Sequence, residues 1–132
     1  MDAKEILHRW HERRRLWLAL ALLAALVIAV GSLTPGSEMP QRLPWDKFNH
    51  FVGYGGLALF SALAGVRPLR AFAMVVAYGI AVEYAQIPVP GRSGGDGWDI
   101  LANTLGAGCA LLLLVWLRRR LFGTDRGKTV TR

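Results

Sequence analysis

Four long apolar runs alternate with short polar stretches along this chain, and each run has the length of a membrane span. Leu16–Leu33 is rich in Leu, Ala and Val and carries no charge. Thr34–Trp45 breaks the pattern with Pro35, Gly36, Pro40 and Pro44. Phe48–Val66 is the second run, with Gly53, Gly55, Gly56, Ala58, Ala62 and Gly65 as small residues for close helix approach. Arg67-Pro68 makes a tight turn, so the second and third runs form an antiparallel hairpin. Leu69–Ile87 is the third run, where Ala73, Ala77, Ala81 and Ala85 suggest a packing seam. Pro88 to Gly97 is a loop, rich in Gly and Pro. Trp98–Leu117 is the fourth run, with a second seam at Ala102, Gly106 and Ala110, and Arg118, Arg119 and Arg120 stop it. The pattern predicts an all-α membrane protein, a bundle of four transmembrane helices.

The flanks divide the chain into a basic segment over residues 1–15, a membrane domain over 16–117 and a basic tail over 118–132. Residues 1–15 suit an amphipathic surface helix with Ile6, Leu7 and Trp10 on lipid, or equally a solvated basic flank. The stretch from Gly123 reads as disordered. The first run, with Ala29-Val30-Gly31 near its end, shares features with a signal peptide. It is longer than the usual core of roughly 7–15 residues, so an uncleaved span is expected.

Charge adds orientation. The net charge is +7 with 53% hydrophobic and 19% charged residues, and mean hydropathy is +0.31. Basic residues next to spans stay cytoplasmic. Lys4, Arg9, Arg13, Arg14, Arg15, Arg67, Arg70, Arg118, Arg119, Arg120, Arg126, Lys128 and Arg132 fall on one side, and Arg42, Lys47 and Arg92 on the other. Both termini are therefore expected in the cytoplasm. Trp17 and Trp116 then lie at the inner interface and Trp45 and Trp98 at the outer one. Basicity alone would suggest nucleic acid, but no nucleic-acid-binding signature is present and the basic residues flank apolar runs, so no nucleic-acid partner is expected. Cys109 is the single cysteine, lies in an apolar run, and is expected to pack as a small hydrophobe.

That orientation gathers the scarce polar residues. Asp46, Lys47, His50 and Tyr54 open the second span from outside, with Asp46, His50 and Tyr54 one helical stripe. Glu83 and Gln86 end the third span there, and Arg92, Asp96, Asp99 and Asn103 lead into the fourth. A carboxylate one turn inside a span costs about 3 kcal/mol to insert unless paired or hydrated, which makes Glu83 conspicuous. Arg92 has the fork geometry to hold an anion. His50 suits proton transfer, with Asp46, Glu83 or Asp99 setting its tautomer. His50, Glu83 and Asp99 are thus the candidate catalytic residues; Asp46, Lys47, Tyr54, Gln86, Arg92, Asp96 and Asn103 are the candidate ligand-binding ones. The same groups also suit a buried network that glues helices together. His50, Glu83 and Asp99 include metal-ligand types, but no motif of tight ligand spacing is present, so neither metal nor cofactor is expected. Hydrolase elbows, metalloprotease motifs and phosphate loops are absent from the sequence. A transporter path is disfavoured because the inner halves of the spans carry no ionisable residues.

Asp46-Lys47-x-x-His50-x-x-x-Tyr54, Glu83-x-x-Gln86, Gly91-Arg92-Ser93 and Asp99-x-x-x-Asn103-x-x-Gly106 together resemble the VanZ-like family of small bacterial membrane proteins, over about residues 33 to 115. Arg92 and Asp99 stand one glycine further apart than the family pattern, so either Asp96 or Asp99 takes the place of the family aspartate. The resemblance implies a multi-pass protein of the bacterial inner membrane. The family's namesake is linked to low-level resistance to the glycopeptide teicoplanin, so the resemblance raises glycopeptide resistance as an expectation without supplying a reaction. The expected partner is a membrane lipid or a lipid-linked, anionic envelope precursor, and the small-residue seams permit oligomers.

Overall fold

Apolar residues on every side leave a helix no reason to present one face to water, and the longest helices here have that character. The computed structural model describes residues 2–39 and 46–123; it contains five α-helices and no strand among them. They are α1 (Ala3–Glu12), α2 (Arg14–Leu33), α3 (Asp46–Leu63), α4 (Pro68–Ala85) and α5 (Gly97–Phe122), with a short 3-10 turn at Gly36–Glu38. α2, α4 and α5 are long and apolar enough to cross a membrane. α3 matches the expected second span in place and has 18 residues, but its first turns carry Asp46, Lys47, Asn49 and His50, which lower its apolarity. The chain is thus all-helical among the described residues, with three helices of membrane-spanning character.

The helix ends differ from expectation by a few residues, most at the start of α2 and the end of α5. α2 begins at Arg14, because the break from α1 falls at Arg13, whose φ is −89° and ψ 38°. α5 runs through the arginines to Phe122, so Arg118, Arg119 and Arg120 end the apolar stretch but not the helix. Cations there favour the last turn of a helix. At the other end Asp96 accepts the Trp98 backbone N–H at 2.8 Å and caps α5. Pro40, Pro44, Trp45 and Arg42, and the tail from residue 124, lie outside the described residues.

α3 packs against α2, α4 and α5, and α4 also packs against α5. The core is built of Ala21, Tyr54, Leu57, Ala58, Ala62, Leu63, Ala71, Val75, Ala107, Leu111 and Leu114. The closest approach is between α3 and α5: a Cβ on Gly106 would collide with the Phe51 backbone, and one on Gly55 would stand 3.0 Å from the Gly106 carbonyl oxygen. The seam expected around Gly106 is therefore a true interface, of the close-backbone kind found between membrane helices.

The other seam is not. Ala73, Ala77, Ala81 and Ala85 are all exposed, while α4 buries Ala71, Val75, Gly79, Val82 and Glu83, with Gln86 just beyond it. The inward stripe advances by fours and a three, as a 3.6-residue turn requires, and it is the stripe that carries the polar pair Glu83 and Gln86. Cys109 is exposed too, so it does not pack in the core.

α1 folds onto the bundle instead of lying free. Leu7 is buried, Trp10 stays exposed, and α1 touches α5. The Arg118 guanidinium donates to His11 Nε2 at 2.7 Å, and His11 Nδ1–H donates to the Leu7 carbonyl at 2.8 Å. Trp17 Nε1–H donates to the Trp10 carbonyl at 2.6 Å, and the two indoles pack 5.7 Å apart.

Candidate functional site

The polar residues predicted to converge do so, where the first turns of α3 and α5 meet the end of α4. Lys47 Nζ donates to Asp96 Oδ2 at 3.0 Å and also bonds Asp99 Oδ1. His50 Nδ1–H donates to Asn103 Oδ1 at 2.9 Å. His50 Nε2 faces Asp46 Oδ1 and Asp99 Oδ2, each at 3.7 Å. One turn deeper, the Tyr54 ring lies parallel to the His50 ring, 6.3 Å between centroids. Asp46, His50 and Tyr54 share a face because they are four apart on α3; Asp99 and Asn103 share the facing stripe of α5 for the same reason.

Glu83 is fully buried. Its Oε2 accepts the Asp96 backbone N–H at 3.2 Å, and its own carbonyl accepts the Gly95 N–H at 3.0 Å. It thereby holds the turn that delivers Asp96 and Asp99. The turn depends on Gly95 (φ 76°) and Gly91 (φ 73°), whose left-handed backbone suits glycine, and on Gly94, where a Cβ would strike the Ile87 backbone. Glu83 Oε1, Tyr54 OH and Asn103 Nδ2 are buried and have no hydrogen-bond partner among the described residues.

Arg92 and Gln86 join a different part of the same neighbourhood. Arg92 Nε donates to the Thr34 carbonyl at 2.9 Å, and one Nη donates to the Gly31 carbonyl. Gln86 Nε2 donates to the Ser32 carbonyl at 2.9 Å. These are carbonyls at the end of α2 that lack partners within the helix. Arg92 is thus a cap on α2, with two of its nitrogens engaged, and not a free fork awaiting an anion. The loop is tied down further by the Gly36 N–H, which donates to the Pro90 carbonyl at 2.9 Å.

A cavity of about 170 Å³ lies between these groups. Asp46, Asn49, His50, Gln86 and Arg92 give it polar walls; Val27, Ile28, Gly53 and Met39 give it apolar ones. Tyr54 lines it as well. Glu83, Asp99, Asp96, Lys47 and Asn103 are not among its lining residues; Asp99 and Asn103 stand behind His50, which faces both. Sequence reasoning did not single out Asn49, Ser32 and Gly31, or Tyr78, whose hydroxyl donates to the Ala25 carbonyl in the middle of α2. Tyr78 had a readable signal, a polar tip inside an apolar run; the α2 carbonyls had none, because any residue type carries one.

Outside the membrane helices, the hydrogen bond from Lys47 holds the Asp96 carboxyl below the usual carboxylate range, helped by the Trp98 N–H. Of the two aspartates, Asp96 is the partly exposed cap and Asp99 the buried partner of His50 and Lys47. No protein-family model, curated protein or solved structure matches the chain.

Proposed function

We propose that the chain is a VanZ-like, four-span protein of the bacterial inner membrane with both termini cytoplasmic, and that its cavity binds the headgroup of an anionic membrane lipid or lipid-linked envelope precursor at the outer face. The carrying observation is the cavity itself: polar groups on some walls, aliphatic ones on others, as an amphiphile requires. The asymmetry of the basic residues supports the orientation. So does the separation of Trp98 and Trp116, both exposed: 18 residues of helix span about 27 Å, close to the thickness of a hydrocarbon core. His50, flanked by two carboxylates, supplies acid/base capacity at the cavity wall. A link to glycopeptide susceptibility belongs to this reading.

A second reading, a structural or accessory membrane protein, is favoured by one observation. Arg92, Gln86 and Lys47 are all engaged with neighbouring segments, as helix-pinning groups would be. Photo-crosslinking separates the two. The full chain is placed in nanodiscs containing phosphatidylglycerol with a photoreactive headgroup. The binding reading expects labels on residues 46–54, reduced in an Asn49→Leu variant of unchanged melting temperature. No labelling there, with melting lowered by every cluster variant, establishes the structural reading.

A further inference from the structure

The cluster beside the cavity carries an excess of acid. Asp46, Glu83, Asp96 and Asp99 meet there with Lys47 and His50, while Arg92 is held at the end of α2. Lys47 is engaged by Asp96 and by one oxygen of Asp99. That leaves the other Asp99 oxygen, an Asp46 oxygen and His50 Nε2 facing one another. Asn103 Oδ1 takes the proton-bearing Nδ1 of His50, so in the neutral ring Nε2 presents a bare lone pair. Three electron-rich atoms in such an arrangement repel unless a cation sits between them.

The distances suit an ion better than a shared proton. Each carboxylate oxygen is 3.7 Å from Nε2, beyond a hydrogen bond. Ligand atoms bound at about 2.1 Å to one tetrahedral ion stand about 3.4 Å apart. All three atoms lie within 4.8 Å of one another, and the Asp46 side chain is 62% exposed, free to turn inward by the remainder. The His50 and Asp99 side chains are 13% and 7% exposed, so water screens their charges little.

The geometry points to a divalent transition-metal site formed by Asp46, His50 and Asp99, taking Zn²⁺ or Mn²⁺. One imidazole and two carboxylates lie between the preferences of those two ions. Asp46 takes the place that sequence reasoning gave to Glu83. Three protein ligands leave a coordination position open, and His50 and Asp46 both line the cavity. Asn103 is the positioning residue, fixing the imidazole through its far nitrogen. The inference does not require that a lipid bind, although the ion would give an anionic headgroup the positive charge that the engaged Arg92 and Lys47 do not.

The test uses the full chain in detergent, stripped with chelator, then exposed to Zn²⁺ and Mn²⁺ in turn. Metal content after desalting and calorimetric titration are the readouts. Stoichiometric binding of at least one of the ions is expected. Asp46→Asn alters an exposed side chain, so its fold is expected to survive, and it should weaken binding by at least about tenfold; Asn103→Ala should weaken it by about 10–100-fold. With Mn²⁺, nitrogen hyperfine coupling should vanish in His50→Gln. His8→Ala and His11→Ala should leave metal affinity unchanged. Failure of the wild-type chain to retain either ion overturns the site, as does affinity unchanged in both Asp46→Asn and His50→Gln. Neither failure bears on headgroup crosslinking, which reads the cavity independently.

Discussion

At the scale of single residues, two glycines of α3 and α5 divide sharply. Gly106→Ala places a methyl group against the Phe51 backbone, which cannot yield as a side chain can. We expect it to destabilise the bundle by about 1–3 kcal/mol, read by denaturant unfolding in detergent. Gly56→Ala meets nothing within 4 Å and should be neutral or slightly stabilising. Asp96 offers a pH test. Its folded value is depressed, so the stability it contributes is fully present above the ordinary carboxylate value and is lost as pH falls through the depressed one. A carboxyl-carbon NMR titration should show Asp96 titrating below a typical aspartate, and Lys47→Met should move it back up, because the lysine is the leading cause. Many residues of the cluster were legible from rarity alone: Asp46, His50, Glu83, Asp99 and Asn103 stand out against an apolar background. Their partners were less so. The four-residue step from Asp46 to His50 is visible in sequence, and charge counting brings Asp99 to the same neighbourhood, but only the fold selects Asp46 and Asp99 over Glu83 as the carboxylates facing His50 Nε2.

At the scale of elements, side-chain type proved a poorer guide than the turn of the helix. The alanines of α4 looked like a seam because they repeat by four, yet Ala71, Val75, Gly79 and Glu83 repeat by four as well, and theirs is the buried face. The buried stripe follows Gly79, Val82, Glu83 and Gln86 instead, where burying the polar pair decides the face. The end of α2 is the element most dependent on a distant side chain. Arg92→Ala removes two charge-assisted bonds to its carbonyls, at a cost of about 2 kcal/mol. Hydrogen exchange should rise at the amides of residues 31–36, and Arg92→Lys should not restore protection, because an ammonium lacks the planar fork. If Arg92 acted only as an anion clamp, those amides would be indifferent to its loss.

At the scale of the whole molecule, the four helical segments were legible because hydrophobic length is coarse and robust, whereas the docking of α1 on α5 was not. It rests on one histidine and one arginine more than a hundred residues apart. The proposed orientation has a direct check. In a Cys109→Ser background, a cysteine at Ser93 should react with a membrane-impermeant maleimide added to intact cells, and one at Gly123 only after lysis. Finally, the helix enclosed by α2, α4 and α5 is also the one whose opening turns are most polar. In the four-span arrangement proposed above, α3 alone at the translocon would partition poorly into lipid, so its insertion would await a companion. The brief Arg67-Pro68 link makes α4 the natural escort, and a ribosome stalled before α4 emerges should leave the preceding segment extractable by alkali.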